Sequence, residues 1–300
     1  MRKFLLSVLI ITFYMATSSA IAEVLPIREK LDNSKSTHSN RSSIVKFFQN
    51  HVYSANQTDV SKFLKFYAPT YINNDGFNYE VSSHVFKDLW KQYQGIHYKN
   101  RVNSIVFNGD NAIVNVTEEA TATVLNDKNQ KGNLRSIVDV VYYLRRNGKS
   151  WVITGENIIM EEINIAWGDA KCVAMFLEVP QLVQAGEEYS AKLYIAPPSG
   201  LFAIGSIASE VVSYPQLPQK DVFKKFAQDY SLERLILANE KNTNEYIVAS
   251  IGYSSPSRGS NNSFNMNLSG FACLIRRVNV VPTNKFIEIK NEEDEQKDAQ

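Results

Sequence analysis

Five side chains have the types and placing to form one chemical site. Glu118 lies in the middle of an alternating run and shares its parity with Ala112, Val114, Val116, Ala120, Ala122 and Val124. A carboxyl group held against apolar walls loses solvation, and its pKa rises into the range a general acid or base needs. The other reading of Glu118 is a solvated residue where the strand outruns its cover. His51 falls on the apolar face of a helical pattern, Ile44, Phe47, Phe48, His51 and Val52. It reads either as a partner for the acid or as a packed, hydrogen-bonded core residue. Tyr67, Trp90 and Tyr142 suit the wall of the same cavity, or plain core. The strand neighbours Val116 and Ala120 offer Glu118 no hydrogen-bond donor, and a positioned base needs a partner that stabilises developing charge. The expectation is therefore a binding cavity with no assigned catalytic group.

Other chemistries lack their motifs. The four histidines, His38, His51, His84 and His97, form no H-x-x-x-H pair, and the two cysteines form no C-x-x-C. There is no G-x-S-x-G elbow, Walker loop, dinucleotide fingerprint or EF-hand loop. Gly200 and Gly205-Ser206 have phosphate-loop spacing but lack the lysine. No metal and no cofactor are expected.

The elements that must carry the five residues are legible from 42 to 166. Ser42 or Ser43 reads as the N-cap of a first helix. A second follows Asn56 or Thr58 and ends at Pro69, with a short strand over 70–73 and a turn at Asp75-Gly76. Val81, Val85, Phe86, Leu89, Trp90 and Tyr93 mark a third helix, stopped near Gly95. Four long strands follow, at about 97–107, 112–125, 134–146 and 151–162, with turns at Asn108–Asn111 and Asn147-Gly148. Helices followed by an antiparallel meander make an α+β cone, three helices on a curved sheet. Asp139 falls on the outer sheet face between Ile137 and Val141, a surface a homodimer could use.

Two stretches of this region, FLKFYAPTYINNDG (63–76) and VDVVYYLRRNGKSWVITGENI (138–158), resemble the nuclear transport factor 2-like, or SnoaL-like, superfamily. The resemblance covers about residues 42–165. It implies a cone with an inner cavity, in a superfamily that hosts dehydratases, isomerases, ligand binders, transport factors and secretion-machinery subunits. Fold alone does not choose among these.

Residues 167–283 read as an all-β, immunoglobulin-like sandwich of about seven short strands, with one helical insert over 221–230. Cys172 and Cys273 would lie in its first and last strands, and a disulfide between them is expected if the chain reaches an oxidising compartment. It does carry an export signature. Arg2 and Lys3 precede the apolar run Phe4–Met15, and Ala20-Ile21-Ala22 ends it, so residues 1–22 read as a signal peptide. Residues 23–41 read as a flexible linker, and 284–300 as a charged, disordered tail. The formal net charge is +1, and losing Arg2 and Lys3 makes it +1 − 2 = −1. A near-neutral surface lacks the basic footprint of a nucleic-acid binder, and no segment after the signal has bilayer length.

Three functions are compatible with this reading. The first is an exported, non-catalytic binding or assembly protein with an unknown protein or small-molecule ligand. The second is a cavity isomerase or dehydratase using Glu118. The third is a subunit of an envelope secretion or assembly complex.

Overall fold

The side chains of Ile44, Phe47, Phe48 and His51 leave solvent on one face of the first helix, as their spacing predicts, and this face seats the helix in the sheet. The computed structural model describes residues 34–283 except 127–128, 198–199, 217–219 and 259–263. The expected signal peptide, residues 23–33 of the expected linker and the expected tail lie outside the described residues.

Helix α1 (Ser34–Asn56) begins well before the expected cap, so residues 34–41 are helix rather than linker. Ser43 is an interior residue whose hydroxyl donates back to the Asn40 carbonyl. The cause is tertiary. Arg146 donates to the Asn40 side chain and the Trp151 indole to Ser43, so the hairpin that turns at Asn147-Gly148 holds a stretch with no apolar stripe of its own. Helix α2 (Val60–Phe63) is capped by Asp59 and tightens into a 3₁₀ turn over Leu64–Phe66. Strand β1 (Tyr67–Asn73) therefore starts before Pro69. Helix α3 (Tyr79–Gln92) is capped by Asn78.

Strands β2 (His97–Asn108), β3 (Asn111–Leu125), β4 (Lys131–Asn147) and β5 (Ser150–Gly168) form the antiparallel meander. Strand β1 pairs in parallel with β5. This is the α+β cone, with α1 and α3 against the concave face.

The second region contains β6 (Ala174–Glu178), β7 (Leu182–Gln184), β8 (Glu188–Ala196), β9 (Phe202–Val211), β10 (Lys224–Lys225), β11 (Ser231–Leu237), β12 (Glu245–Arg258) and β13 (Phe264–Val281). The insert expected to be helical holds β10 and a turn instead. Phe226 packs over Gly205 of β9, where there is no room for a Cβ. β13 runs unbroken in the chain from Phe264 to Val281, with a single register shift opposite Tyr253/Ser254. The three-stranded sheet β11-β8-β6 shares a core with one face of β9, β12 and β13, through Leu177, Leu193, Ile236, Ile247, Ile251 and Leu274.

The two regions are joined by strand pairing. β5, expected to end at Glu162, runs on to Gly168 and crosses the boundary expected at 166/167. Its last residues pair with β13 from Glu162–Arg276 to Gly168–Gly270. One continuous path thus runs β10-β9-β12-β13-β5-β4-β3-β2. The reason is visible in burial, since Ile163, Ile165 and Trp167 keep alternating inward past Glu162. Cys273, Ile275, Tyr246 and Val248 of the second region belong to the cone's own core. Gly168 leaves β5 at φ +56°, packed against the Ser269 carbonyl with no space for a side chain.

The expected Cys172–Cys273 disulfide is absent, and both thiols are free. Cys172 is exposed at the end of a 3₁₀ turn over Asp169–Cys172, while Cys273 is buried in the cone core. Burial pushes the Cys273 thiol up to about 12.

Candidate functional site

The five expected residues come from three strands and two helices. On β3 the side chains of Ala112, Val114, Val116 and Ala120 face the helices, and strict alternation turns Glu118 the same way. On β4 the same rule places Val138, Val140 and Tyr142 inward. The Tyr142 hydroxyl donates to Glu118 Oε1 at 2.8 Å. The donor missing from β3 therefore arrives from β4, four residues along the strand from Val138, the register partner of Glu118. A tyrosine is long enough to cover that offset across one face of a sheet.

α1 supplies His51, whose Nε2 lies 3.0 Å from the Tyr67 hydroxyl of β1. The imidazole is packed among Phe47, Phe48, Phe63, Phe66 and Tyr142. Burial pushes its pKa down to about 3, so the ring is uncharged at neutral pH. α3 supplies Trp90, whose indole donates to the Tyr98 hydroxyl at 3.0 Å. Asn56, at the end of α1, exchanges hydrogen bonds with both backbone groups of Tyr98 and holds α1 against β2.

His51, Tyr67, Trp90, Glu118 and Tyr142 all line one hollow of about 30 Å³. That is room for about two water molecules. Phe63, Phe86 and Tyr98 complete most of its wall, and Lys99 is the exposed residue of the lining. Protein surrounds Glu118, yet it keeps some accessible surface because it faces this hollow. Burial raises its pKa from 4.5 to about 7, against the opposing pull of the Tyr142 hydrogen bond.

A second acid stands behind the first. Glu156 of β5 has no exposed surface. Burial raises its pKa well above 4.5, and the nearby Glu118 charge raises it further. The Tyr67 and Tyr71 hydroxyls lie close enough to favour its charged form, but neither makes a well-aligned hydrogen bond to a carboxylate oxygen. Simple alternation from Trp151 and Ile153 would send Glu156 outward. Two bulges intervene, with register steps at Thr154 and Ile159. Between them the parity is reversed, so Glu156 and Ile158 point inward, and the odd positions return inward at Glu161. The β1 turn fixes this stretch, because Asn74 Oδ1 accepts from the Ile158 amide while the Asn74 amide donates to the Glu156 carbonyl. A bulge leaves no mark in an alternation pattern, and that is why sequence reasoning missed Glu156.

A separate buried cluster sits where the regions join. Arg277 of β13 donates to both oxygens of Asp75, Nη2 to Oδ1 at 2.9 Å and Nη1 to Oδ2 at 3.2 Å. Asn244 adds a 2.8 Å bond to Asp75 Oδ1. Neither side chain of the ion pair has exposed surface. Glu161 of β5 accepts from the Tyr246 hydroxyl at 2.9 Å, and burial raises its pKa to about 8 despite the nearby Arg277 charge. Asp75 is raised to about 6, burial outweighing the attraction of Arg277.

On the outer face, Asp139 accepts from the Thr117 hydroxyl at 2.6 Å. Among the described residues no group of three or more His, Cys, Asp or Glu side chains could hold a metal ion, and no helix is long and apolar enough to cross a membrane.

The strand order and helices define an α+β cone whose hollow is lined by aromatic rings and one open carboxylate. No family model and no curated protein matches the chain. Solved structures resemble part of it. Bd1075 of Bdellovibrio bacteriovorus is 22% identical, with a TM-score of 0.35, over 42% of this chain and 42% of that one. This chain thus spans less than half the length of Bd1075. A putative scytalone dehydratase from Novosphingobium aromaticivorans is 11% identical, with a TM-score of 0.36, over 42% of this chain and 87% of its own. A putative dehydratase of the NTF2-like family from Streptomyces avermitilis is 12% identical, with a TM-score of 0.34, over 40% of this chain and 95% of its own.

Proposed function

We propose that this is an exported binding protein whose cone receives a very small ligand without transforming it. The observation that carries this reading is the state of Glu118. Its Oε1 accepts from Tyr142, and its carboxyl group lines a ring-lined hollow of about 30 Å³. His51 is uncharged and engaged with Tyr67, and Lys99 stands exposed at the edge of the hollow. Enzyme and drug pockets run to roughly 300–1,000 Å³, far above this hollow. The N-terminal signature supports export, and the motifs at 63–76 and 138–158 support a nuclear transport factor 2-like cone. The two-layer second region is proposed as an immunoglobulin-like sandwich that extends the cone's sheet.

Two measurements test the reading. A panel of small cationic, neutral and anionic solutes is titrated into the full-length protein while the fluorescence of Trp90 and its neighbours and the thermal midpoint are followed. At least one class is expected to bind saturably. No response to any class would overturn the binding role. Mass spectrometry of the exported protein is expected to show a chain starting at Glu23, and an intact Met1 terminus would overturn export.

A second reading has one specific support. A carboxyl with a pKa of about 7 is poised to act as acid or base near neutrality. Turnover of a small substrate that disappears in Glu118→Gln, while the fold survives, would favour that enzyme reading over pure binding.

A further inference from the structure

We propose that the ligand of the cone is a small organic ammonium ion, bound by Glu118 and the surrounding rings; this rests on the binding reading above. Three features of the site support a positively charged guest.

The first is hydrogen bonding. Tyr142 donates to Oε1 of Glu118, and the carboxyl group keeps further lone pairs for a donor in the hollow it lines. An ammonium N–H is such a donor, and its hydrogen bond to a carboxylate is of the strong, charge-assisted kind.

The second is charge. Two carboxyl groups, Glu118 and Glu156, lie close enough for each to feel the other. Among the described residues, no basic side chain that lines the hollow is both buried and charged. His51 is neutral, and Lys99 is exposed at the edge of the hollow. Burial without a counter-charge is costly, and an acid in that position stays protonated or takes a cation. An anionic guest would set its charge beside two acids with no buried cation to balance it.

The third is the wall. Trp90, Phe63, Phe86 and Tyr98 present aromatic surface to the hollow. Alkylammonium groups are attracted to ring faces, and that attraction and the pairing with Glu118 offset the cost of leaving water. The volume limits the guest to one or a few heavy atoms beyond nitrogen, as in methylammonium or dimethylammonium.

The chemistry on binding is a proton transfer out of the site. Glu118 gives its proton to solvent as the cation enters, so the hollow passes from a neutral acid to an ion pair. Affinity should therefore rise with pH below about 7 and level off above it. The groups facing Glu118 are Tyr142 on β4, Glu156 on β5, His51 on α1, Tyr67 on β1, and Tyr98 and Lys99 on β2. Burial and the Glu118 charge both push the Glu156 pKa up, so ionising Glu118 strengthens the hold of Glu156 on its own proton. His51 stays neutral throughout.

The test is calorimetry on the full chain with methylammonium chloride, ethanol and sodium acetate as probes, at pH 5, 6, 7 and 8. Methylammonium is expected to bind saturably, with proton release at pH 6 revealed by buffers of different ionisation enthalpy. Its affinity is expected to fall about tenfold or more in Glu118→Gln, the scale of a charged hydrogen bond made neutral. Ethanol and acetate are expected not to bind. If ethanol binds as well as methylammonium, or affinity does not change between pH 5 and 7, the cation is wrong while the cone remains a binding site. If none of the three binds at any pH, both the cation and the binding reading fall. Should Glu118→Gln fail to fold, the selectivity and pH slope of the unaltered protein decide the matter.

Discussion

Two groups of acids are enclosed by protein beside the same sheet, and they have different partners. At the junction of the regions, Arg277 donates to both oxygens of Asp75 and its charge reaches Glu161, while the Asn244 amide bonds Asp75 and the Tyr246 hydroxyl bonds Glu161. In the cone, Glu118 and Glu156 have tyrosine hydroxyls for company and no cation. The junction is closed, whereas the cone keeps a hollow beside its acid. The difference teaches where to look for function. A buried acid with its counter-charge in place is a fastening, and here it ties the turn after β1 to β13. A buried acid without one is a cost that the fold carries for another reason.

The strongest way to break this contrast is to remove the cation that distinguishes the two clusters. Arg277→Met leaves Asp75 buried and uncompensated, and should destabilise the protein by about 3–5 kcal/mol in urea unfolding. Adding Asp75→Asn should recover a large part of the loss. A single-variant loss below about 1 kcal/mol would show that the junction is no lock, since exposed pairs are worth that little.

A smaller effect should separate the clusters by pH. Glu118 has a folded pKa of about 7 against 4.5 when exposed. An acid whose folded pKa is raised binds more protons folded than unfolded. Its contribution is fully present below the unfolded value and is lost as pH rises through the folded one. From pH 4.5 to 7 this amounts to at most about 3 kcal/mol, and the profile of Glu118→Gln should be flatter by that amount. Asp75 and Glu161 contribute slopes of the same sign up to about pH 6 and 8, and these should persist in the variant. Parallel profiles for the two proteins would place Glu118 in contact with bulk water.

The smallest expected effect refines the cone alone. Tyr142→Phe removes the one hydrogen bond that pulls the Glu118 pKa down. It should cost about 1–2 kcal/mol at pH 8, where the acid is charged, and less at pH 5. The midpoint of the pH-dependent step should move upward. An unchanged midpoint would mean that the 2.8 Å contact does not persist in solution.

The sequence alone made part of this contrast visible. Glu118 was legible because β3 alternates without interruption, so parity gives its face. His51 was legible from helical spacing, and Tyr67, Trp90 and Tyr142 from the apolar faces they extend. All five line the hollow. The three helices and four strands of the cone follow from the same two periodicities, with α2 shorter and α1 longer than the pattern suggests.

Tertiary structure alone decided the rest, for three physical reasons. Bulges reverse parity without changing composition, and two of them in β5 turn Glu156 into the cone. Strand pairing is non-local, so no local pattern near Glu162 or Arg276 shows that β5 and β13 join the regions into one sheet. The partners of a buried charge lie far away in the chain. Asp75 and Arg277 are separated by 202 residues, and in sequence Asp75 is simply the residue before a turn glycine. The cysteines show the same limit in reverse. Export and an even count suggest a bridge, but which face a strand turns to the core decides whether two thiols can meet, and here one lies inside while the other is on the surface.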